Sequence, residues 1–303
     1  MKIRRNLFSS PICLALNLAL VYVVYEICRF VYLFENWSTF SMDLSWASLG
    51  EILRGGWFFD TSAILYTNAL YALLMLLPLH YKETDWWQRM ARWVFVVCNA
   101  LCVVANLADA VYFQYTGRRT TVTVFSEFSN EHNLGSIFGV ELLRHWYLVL
   151  IGVALIYGLW RCYFMPRPGE RPQALRRPMQ PRRVAAYYGA QTLCLAVFVP
   201  LCVCGMRGGA TTAVRPITIS NANQYADRPQ EAALVLNTPF SLIRTIDKPV
   251  FVVPGYYTAQ ELDAIYSPVH QPIDSLKPRR KNVVVFIVES FGREYIGGYN
   301  HWL

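Results

Sequence analysis

The chain predicts an α-helical polytopic membrane bundle of five transmembrane helices, followed by a helical linker and the first strand of an incomplete α/β domain. Three observations carry this. The sequence is 54% hydrophobic and 15% aromatic, and its apolar residues fall in five blocks. Each block is long enough to cross a bilayer, which takes about 20 residues at about 1.5 Å rise each. Basic residues gather in alternate connections between the blocks. Near the end, Val283 to Val288 is a continuous apolar run, mostly β-branched and closed by Glu289. That is the pattern of a parallel strand covered on both faces.

The membrane domain covers 1–206, with spans at about 12–34, 57–79, 91–113, 146–164 and 184–206. The first block carries Glu26 and Arg29 and is too long for a cleaved signal peptide, so it is read as a retained helix. Orientation follows from the loops, because short loops rich in Lys and Arg stay cytoplasmic. Lys2, Arg4 and Arg5 precede the first span; Lys82, Arg89 and Arg92 lie between the second and third; Arg167, Arg171, Arg176, Arg177, Arg182 and Arg183 lie between the fourth and fifth. The alternate connections hold only Arg54, Arg118, Arg119 and Arg144. Twelve basic residues against four place the N-terminus inside, and an odd number of spans places everything after Met206 outside. The net charge of +8 is largely this sidedness. No basic patch with interleaved aromatics points to nucleic acid. Cys13, Cys28, Cys98, Cys102, Cys162, Cys194, Cys202 and Cys204 all fall within the spans, which excludes a disulfide framework in the exported part.

Charged groups inside spans need a partner or water. Glu26 and Arg29, three apart on one helix, can pair with each other. Asp60 near the outer end of the second span, with Asn99, Asn106 and Asp109 in the third, has two readings: a polar pocket opening outward that holds a lipid headgroup, or interhelical hydrogen bonds that fix the bundle. Arg118 and Arg119, just past the third span, either touch a phosphate headgroup or anchor the interface.

Residues 207–281 read as an exported helical linker. Asp227 to Gln230 has capping-box spacing ahead of a short helical run, Glu231 to Asn237. Thr238-Pro239 starts a second turn through Ile246, and Thr258 with Glu261 caps a third helix to Tyr266. Leu234, Leu236, Phe240, Leu242, Ile243 and Ile246 are expected to pack on a neighbouring globular domain or lie in the membrane-water interface. The Pro-rich stretch from Ser267 to Arg280 feeds the strand. Residues 282–303 then begin an α/β domain that one strand cannot complete, a segment expected to be disordered or aggregation-prone unless a second chain completes it.

Asn282-Val283-Val284-Val285-Phe286-Ile287-Val288-Glu289-Ser290-Phe291, after five spans and a helical linker, resembles the lipoteichoic acid synthase family, polyglycerolphosphate synthases and relatives in the alkaline phosphatase/sulfatase superfamily. Phe58-Phe59-Asp60-Thr61-Ser62, Thr116-Gly117-Arg118-Arg119-Thr120-Thr121 and Leu236-Asn237-Thr238-Pro239-Phe240-Ser241 resemble the Gram-negative branch of that family. The resemblance spans the first half of a typical member. It implies a sulfatase-like catalytic domain beginning at 282, with Glu289 as a ligand to a catalytic Mn²⁺ or Mg²⁺. The nucleophilic Thr and the remaining metal and substrate ligands would lie beyond Leu303, so no catalytic residue is assigned here and the 303 residues are expected to bind no metal and to be inactive by themselves. Without the family, a Glu at a strand end is an ordinary solvated or structural carboxylate, and His301 an ordinary surface residue.

The resemblance implies a phosphoglycerol or phosphoethanolamine transferase that takes a phospholipid donor and modifies an envelope lipid or glycan. Its place would be the bacterial cytoplasmic membrane, as a multi-pass protein with its N-terminus cytoplasmic and its C-terminal part exported. The alternative is a non-catalytic polytopic membrane protein, transporter-like or an interaction module. Five spans, no detectable internal repeat and no paired Gly/Pro-broken helices weigh against a transporter.

Overall fold

A computed structural model describes residues 1–3, 8–41, 44–129, 134–167, 180–209, 216–246, 255–266 and 284–285. They belong to two compact units, Met1–Val250 and Phe251–Leu303. The first is a helical bundle: α1 (Ser9–Glu35), α2 (Trp37–Phe40), α3 (Trp46–Thr67), α4 (Ala69–Leu76), α5 (Asp85–Thr116), α6 (Thr123–Ser129), α7 (Leu134–Arg144), α8 (Trp146–Cys162) and α9 (Pro181–Arg207), then short helices α10 (Ala232–Val235) and α11 (Thr238–Thr245). Strand among the described residues is limited to β1 (Lys2–Ile3) and β2 (Met165–Pro166), paired in parallel.

Helices α1, α5 and α9 are each long and apolar enough to cross a membrane. The pair α3 and α4, bent by 64°, and the pair 135–144 and α8, bent by 82°, pass the same test only jointly, which makes three spans, or five if each bent pair is one. These are the helices of a membrane protein. Helix α9 buries almost none of its apolar surface against the rest of the chain; Leu193, Leu201 and Val203 are exposed, as lipid-facing residues are.

The second predicted span needs correcting. The helix begins at Trp46, eleven residues before the apolar block, because the Ser45 side chain accepts the Ser48 N–H at 3.0 Å and caps it. Hydropathy misses this stretch, since Glu51 and Arg54 lie in it, exposed. The helix then breaks at Asn68, where neither Gly nor Pro signals it. Buried Asn68 and Asn99 exchange amide hydrogen bonds at 2.7 and 3.1 Å, and Thr67 Oγ1 and Asn68 Nδ2 donate to the carbonyls of Ala63 and Ile64. Ile64 O also keeps the Asn68 backbone N–H at 2.9 Å, so these side chains add to the last turn of α3 rather than replace its ladder.

Hydrogen bonds sort the connections into two ends. At one, the Met1 ammonium donates to Tyr163 O at 2.6 Å, Asn17 joins Tyr71 and Phe164, and Arg92 donates to Trp160 O. The α4–α5 connection meets the start of α9 there too: Lys82 Nζ donates to Gln191 Oε1 at 2.6 Å and Tyr187 OH to Glu83 Oε1 at 2.8 Å. At the other end, Asn36 Nδ2 donates to Ala110 O, Gln114 to Glu35, and Ser62 to Met206 O. Met1, the α4–α5 connection and the start of α9 therefore lie at one end of the bundle. Lys82, however, is wholly buried rather than directed to water.

Of the linker, residues 216–246 pack on the bundle itself. A 3₁₀ turn over Ile219–Tyr225 lays Tyr225 across Gly55 of α3, stacked on Phe58. Buried Glu231 accepts from the amides of Asp227 and Arg228 and from Arg228 Nε, so the capping carboxylate is Glu231 rather than Gln230. Asn237 then caps α11 by accepting Phe240 N–H at 2.8 Å, with Pro239 in the first turn. Leu234, Leu236 and Phe240 are buried, whereas Ile246 is exposed.

In the second unit, α12 (Ala259–Ile265) carries the capping box expected from Thr258 and Glu261: the Thr258 amide and hydroxyl donate to Glu261 at 2.8 and 2.9 Å, which holds that carboxyl below its ordinary range. Of the predicted strand, Val284 and Val285 are described; both are exposed and in no strand. Glu289, His301 and the Pro-rich stretch from Ser267 to Arg280 lie outside the described residues.

Candidate functional site

The bundle holds two arginine–aspartate pairs shielded from solvent, and both face one piece of the linker. Arg29 of α1 bonds Asp60 of α3 through Nη2, while its Nε reaches Glu26 at 3.3 Å. Arg119 bonds Asp109 of α5 at 2.9 Å. The second pair exists because α5 ends at Gly117, whose φ of 63° is the left-handed conformation glycine adopts without steric cost. The chain reverses there and brings Arg119 back beside the last turns of α5.

The two guanidiniums cap α10. A four-residue helix has no internal partners for its last carbonyls. Arg119 takes Ala233 O through Nε at 2.7 Å and Leu236 O through Nη2 at 2.6 Å. Arg29 takes Leu234 O and Val235 O through Nη1, the latter at 2.9 Å. Four consecutive carbonyls are thus held by two cations. The carboxylates then grip the next two residues: Asn237 Nδ2 donates to Asp60 Oδ1 at 2.8 Å, and Thr238 Oγ1 donates to Asp109 Oδ2 at 2.8 Å. Asn106 Oδ1 accepts the Thr238 amide at 3.0 Å, and Thr120 donates its amide and hydroxyl to Asp109 Oδ1.

Close approach makes the site possible. At Gly56 a Cβ would sit 2.5 Å from Arg29 Cζ, so the guanidinium lies directly on the backbone of α3. Arg119 is stacked on the Tyr32 ring, its Cζ 3.7 Å from the centroid, above an aromatic cluster of Tyr32, Phe40 and Phe113. On the far side of the linker, Arg244 of α11 donates to Met206 O at 2.9 Å, and Thr245 Oγ1 accepts the Val122 amide at 3.0 Å.

Of the residues singled out in the sequence, Asp60, Asn106, Asp109 and Arg119 come together here. They form a filled network in which the oxygens of Asp60 and Asp109 are engaged by protein donors. Arg118 points away, exposed, to Glu127 at 3.2 Å, and Asn99 belongs to the break at Asn68. Arg29, Thr120, Asn237 and Thr238 were not singled out as site residues. The i,i+3 spacing identified the weaker partner of Arg29, Glu26, and a partner 31 positions away leaves no local signal. Among the described residues no group of three or more His, Cys, Asp or Glu could hold a metal ion.

No protein-family model matches the chain, and no curated protein or solved structure matches it either.

Proposed function

We propose that this chain is the membrane part and linker of a metal-dependent phosphotransferase of the lipoteichoic acid synthase, sulfatase-like type. It would move phosphoglycerol or phosphoethanolamine from a phospholipid donor to an envelope lipid or glycan. In this reading the basic end of the bundle is cytoplasmic, residues from 207 onward are exported from a bacterial cytoplasmic membrane, and a sulfatase-like domain begins at 282. Glu289 would offer the hard anionic oxygen that Mn²⁺ or Mg²⁺ prefers. The metal would supply charge neutralisation at the transferred phosphate.

The observation that carries the reading is the double clamp on residues 233–238. An enzyme whose substrates are membrane lipids needs its exported part tethered at a defined point on the bundle, and a covalent linker alone leaves it free to wander. Two buried ion pairs fix six linker residues on the bundle, which gives the exported stretch a defined starting point. The dense engagement of Asp60 and Asp109 by protein donors also suits the second reading, a non-catalytic membrane protein whose polar groups only hold its helices together.

The two part on activity. Membranes containing the protein expressed from its intact gene, supplied with headgroup-labelled phospholipid and Mn²⁺, should transfer label to an envelope acceptor, and Glu289→Ala should abolish it. No transfer with any phospholipid, or transfer indifferent to Glu289, rejects the transferase.

A further inference from the structure

We infer that the groove between α1 and α3 binds the headgroup of an aminophospholipid, a lipid carrying both a primary ammonium and a phosphate. The groove has a volume of about 600 Å³ and is lined by Glu26, Phe30, Leu53, Arg54, Trp57 and Phe58. Its lining residue Glu26 is the second partner of Arg29, which places it beside the Arg29–Asp60 pair.

Charge selects the occupant. Arg29 is one cation shared by two carboxylates, Asp60 and Glu26. Asp60 also takes Asn237 and is fully enclosed, whereas the Glu26 side chain stays 27% exposed on the groove wall, its one ion pair among the described residues the 3.3 Å contact to Arg29 Nε. The groove therefore has one carboxylate more than Arg29 can neutralise. Arg54, the other charged residue of the lining, is well exposed and among the described residues is held by its i,i+3 neighbour Glu51 at 3.3 Å, an arrangement worth little in water and readily exchanged for a phosphate. A carboxylate and a guanidinium across an apolar floor complement an ammonium–phosphate zwitterion with an acyl chain beneath it. Phe30, Trp57 and Phe58 are exposed aromatics, the residue class that lines the headgroup level of a bilayer.

The same residues disfavour other ligands. A quaternary ammonium prefers a cage of open aromatic faces, but Trp57 has one face covered by Tyr22, stacked at 4.5 Å, and a quaternary nitrogen has no N–H to donate to Glu26. An anionic headgroup without an amine leaves the Glu26 charge unbalanced. A bare divalent cation needs more oxygen ligands than one carboxylate supplies. The site is distinct from the closed network around Asp109, and its occupancy does not depend on the transferase reading.

The test is native mass spectrometry of the full chain in detergent, titrated separately with phosphatidylethanolamine, phosphatidylglycerol and phosphatidylcholine of identical acyl chains. The wild-type chain should bind phosphatidylethanolamine at least tenfold more tightly than either other lipid. Glu26→Gln, which keeps the shape and a hydrogen-bonding oxygen for Arg29, should remove that preference. Leu53→Trp, which fills the groove without touching an ion pair, should remove tight binding of all three. Equal binding of the three lipids by the wild-type chain overturns the inference whether or not a variant folds, and so does a preference that survives Leu53→Trp.

Discussion

Replacing Arg119 by Met removes the cation that joins α5 to the linker while keeping much of its apolar stem. Three things are lost. Asp109 is left buried without its countercharge, the carbonyls of Ala233 and Leu236 lose their donors, and the stacking on Tyr32 goes. Removing one partner of a buried pair costs about 3–5 kcal/mol. Asp109 keeps the amide and hydroxyl of Thr120 and the hydroxyl of Thr238, which places the expected loss at the lower end, about 3 kcal/mol. Because Arg29 still holds Leu234 and Val235, the loss should appear as local release of the linker rather than collapse of the bundle. At about 1.4 kcal/mol per decade, amides of residues 233–241 should exchange with solvent roughly 10²-fold faster in detergent, while those in α1 and α5 change little. The double variant Arg119→Met with Asp109→Leu leaves no orphan charge, so it should recover part of the loss and reveal a coupling above about 1 kcal/mol. Unchanged exchange in Arg119→Met, or additive losses in the double variant, would refute the clamp.

Three further outcomes are expected. Gly56→Ala pushes a methyl into the Arg29 guanidinium and should cost about 1–3 kcal/mol in denaturant titrations, whereas Gly50→Ala in the same helix, with nothing within 4 Å, should stabilise by about 0.5–1 kcal/mol; equal effects would contradict the close approach. Burial pushes the Lys82 ammonium down to about 8 from 10.5, with Glu83 opposing the fall, so between those values the unfolded chain binds more protons than the folded one. Stability should therefore rise as pH increases from 8 towards 10.5, by about 2 kcal/mol, in the wild-type chain but not in Lys82→Met; parallel pH profiles of the two would exclude Lys82 as the source. Reporter fusions after Arg177 should be cytoplasmic and fusions after Tyr257 exported, and a cytoplasmic reporter at Tyr257 would reverse the proposed orientation.

Local rules made much of the bundle legible. Apolar runs from 12 to 34 and from 91 to 113 announce α1 and α5, because a helix in lipid must be apolar over its whole span. The cap at Thr258 is likewise readable, since a cap and its amide lie three residues apart, whereas Asn237, read as the end of the preceding run, is the cap of α11. Polar residues at Asp60, Asn106, Asp109 and Arg119 stood out because isolated charge in or beside a span demands a partner. Which partner was decided only in three dimensions. Arg29 meets Asp60 across 31 residues and Leu234 across 205, and the chain supplies no periodicity that links them. The start of α3 at Trp46 and its break at Asn68 were hidden for the complementary reason. Hydropathy reports where lipid is, not where a helix begins, and the Asn68 side chain at the break finds its partner, Asn99, on another helix. The linker's place on the bundle follows from the same physics: its carbonyls need donors, and the buried guanidiniums of Arg29 and Arg119, each already held by an aspartate, supply them.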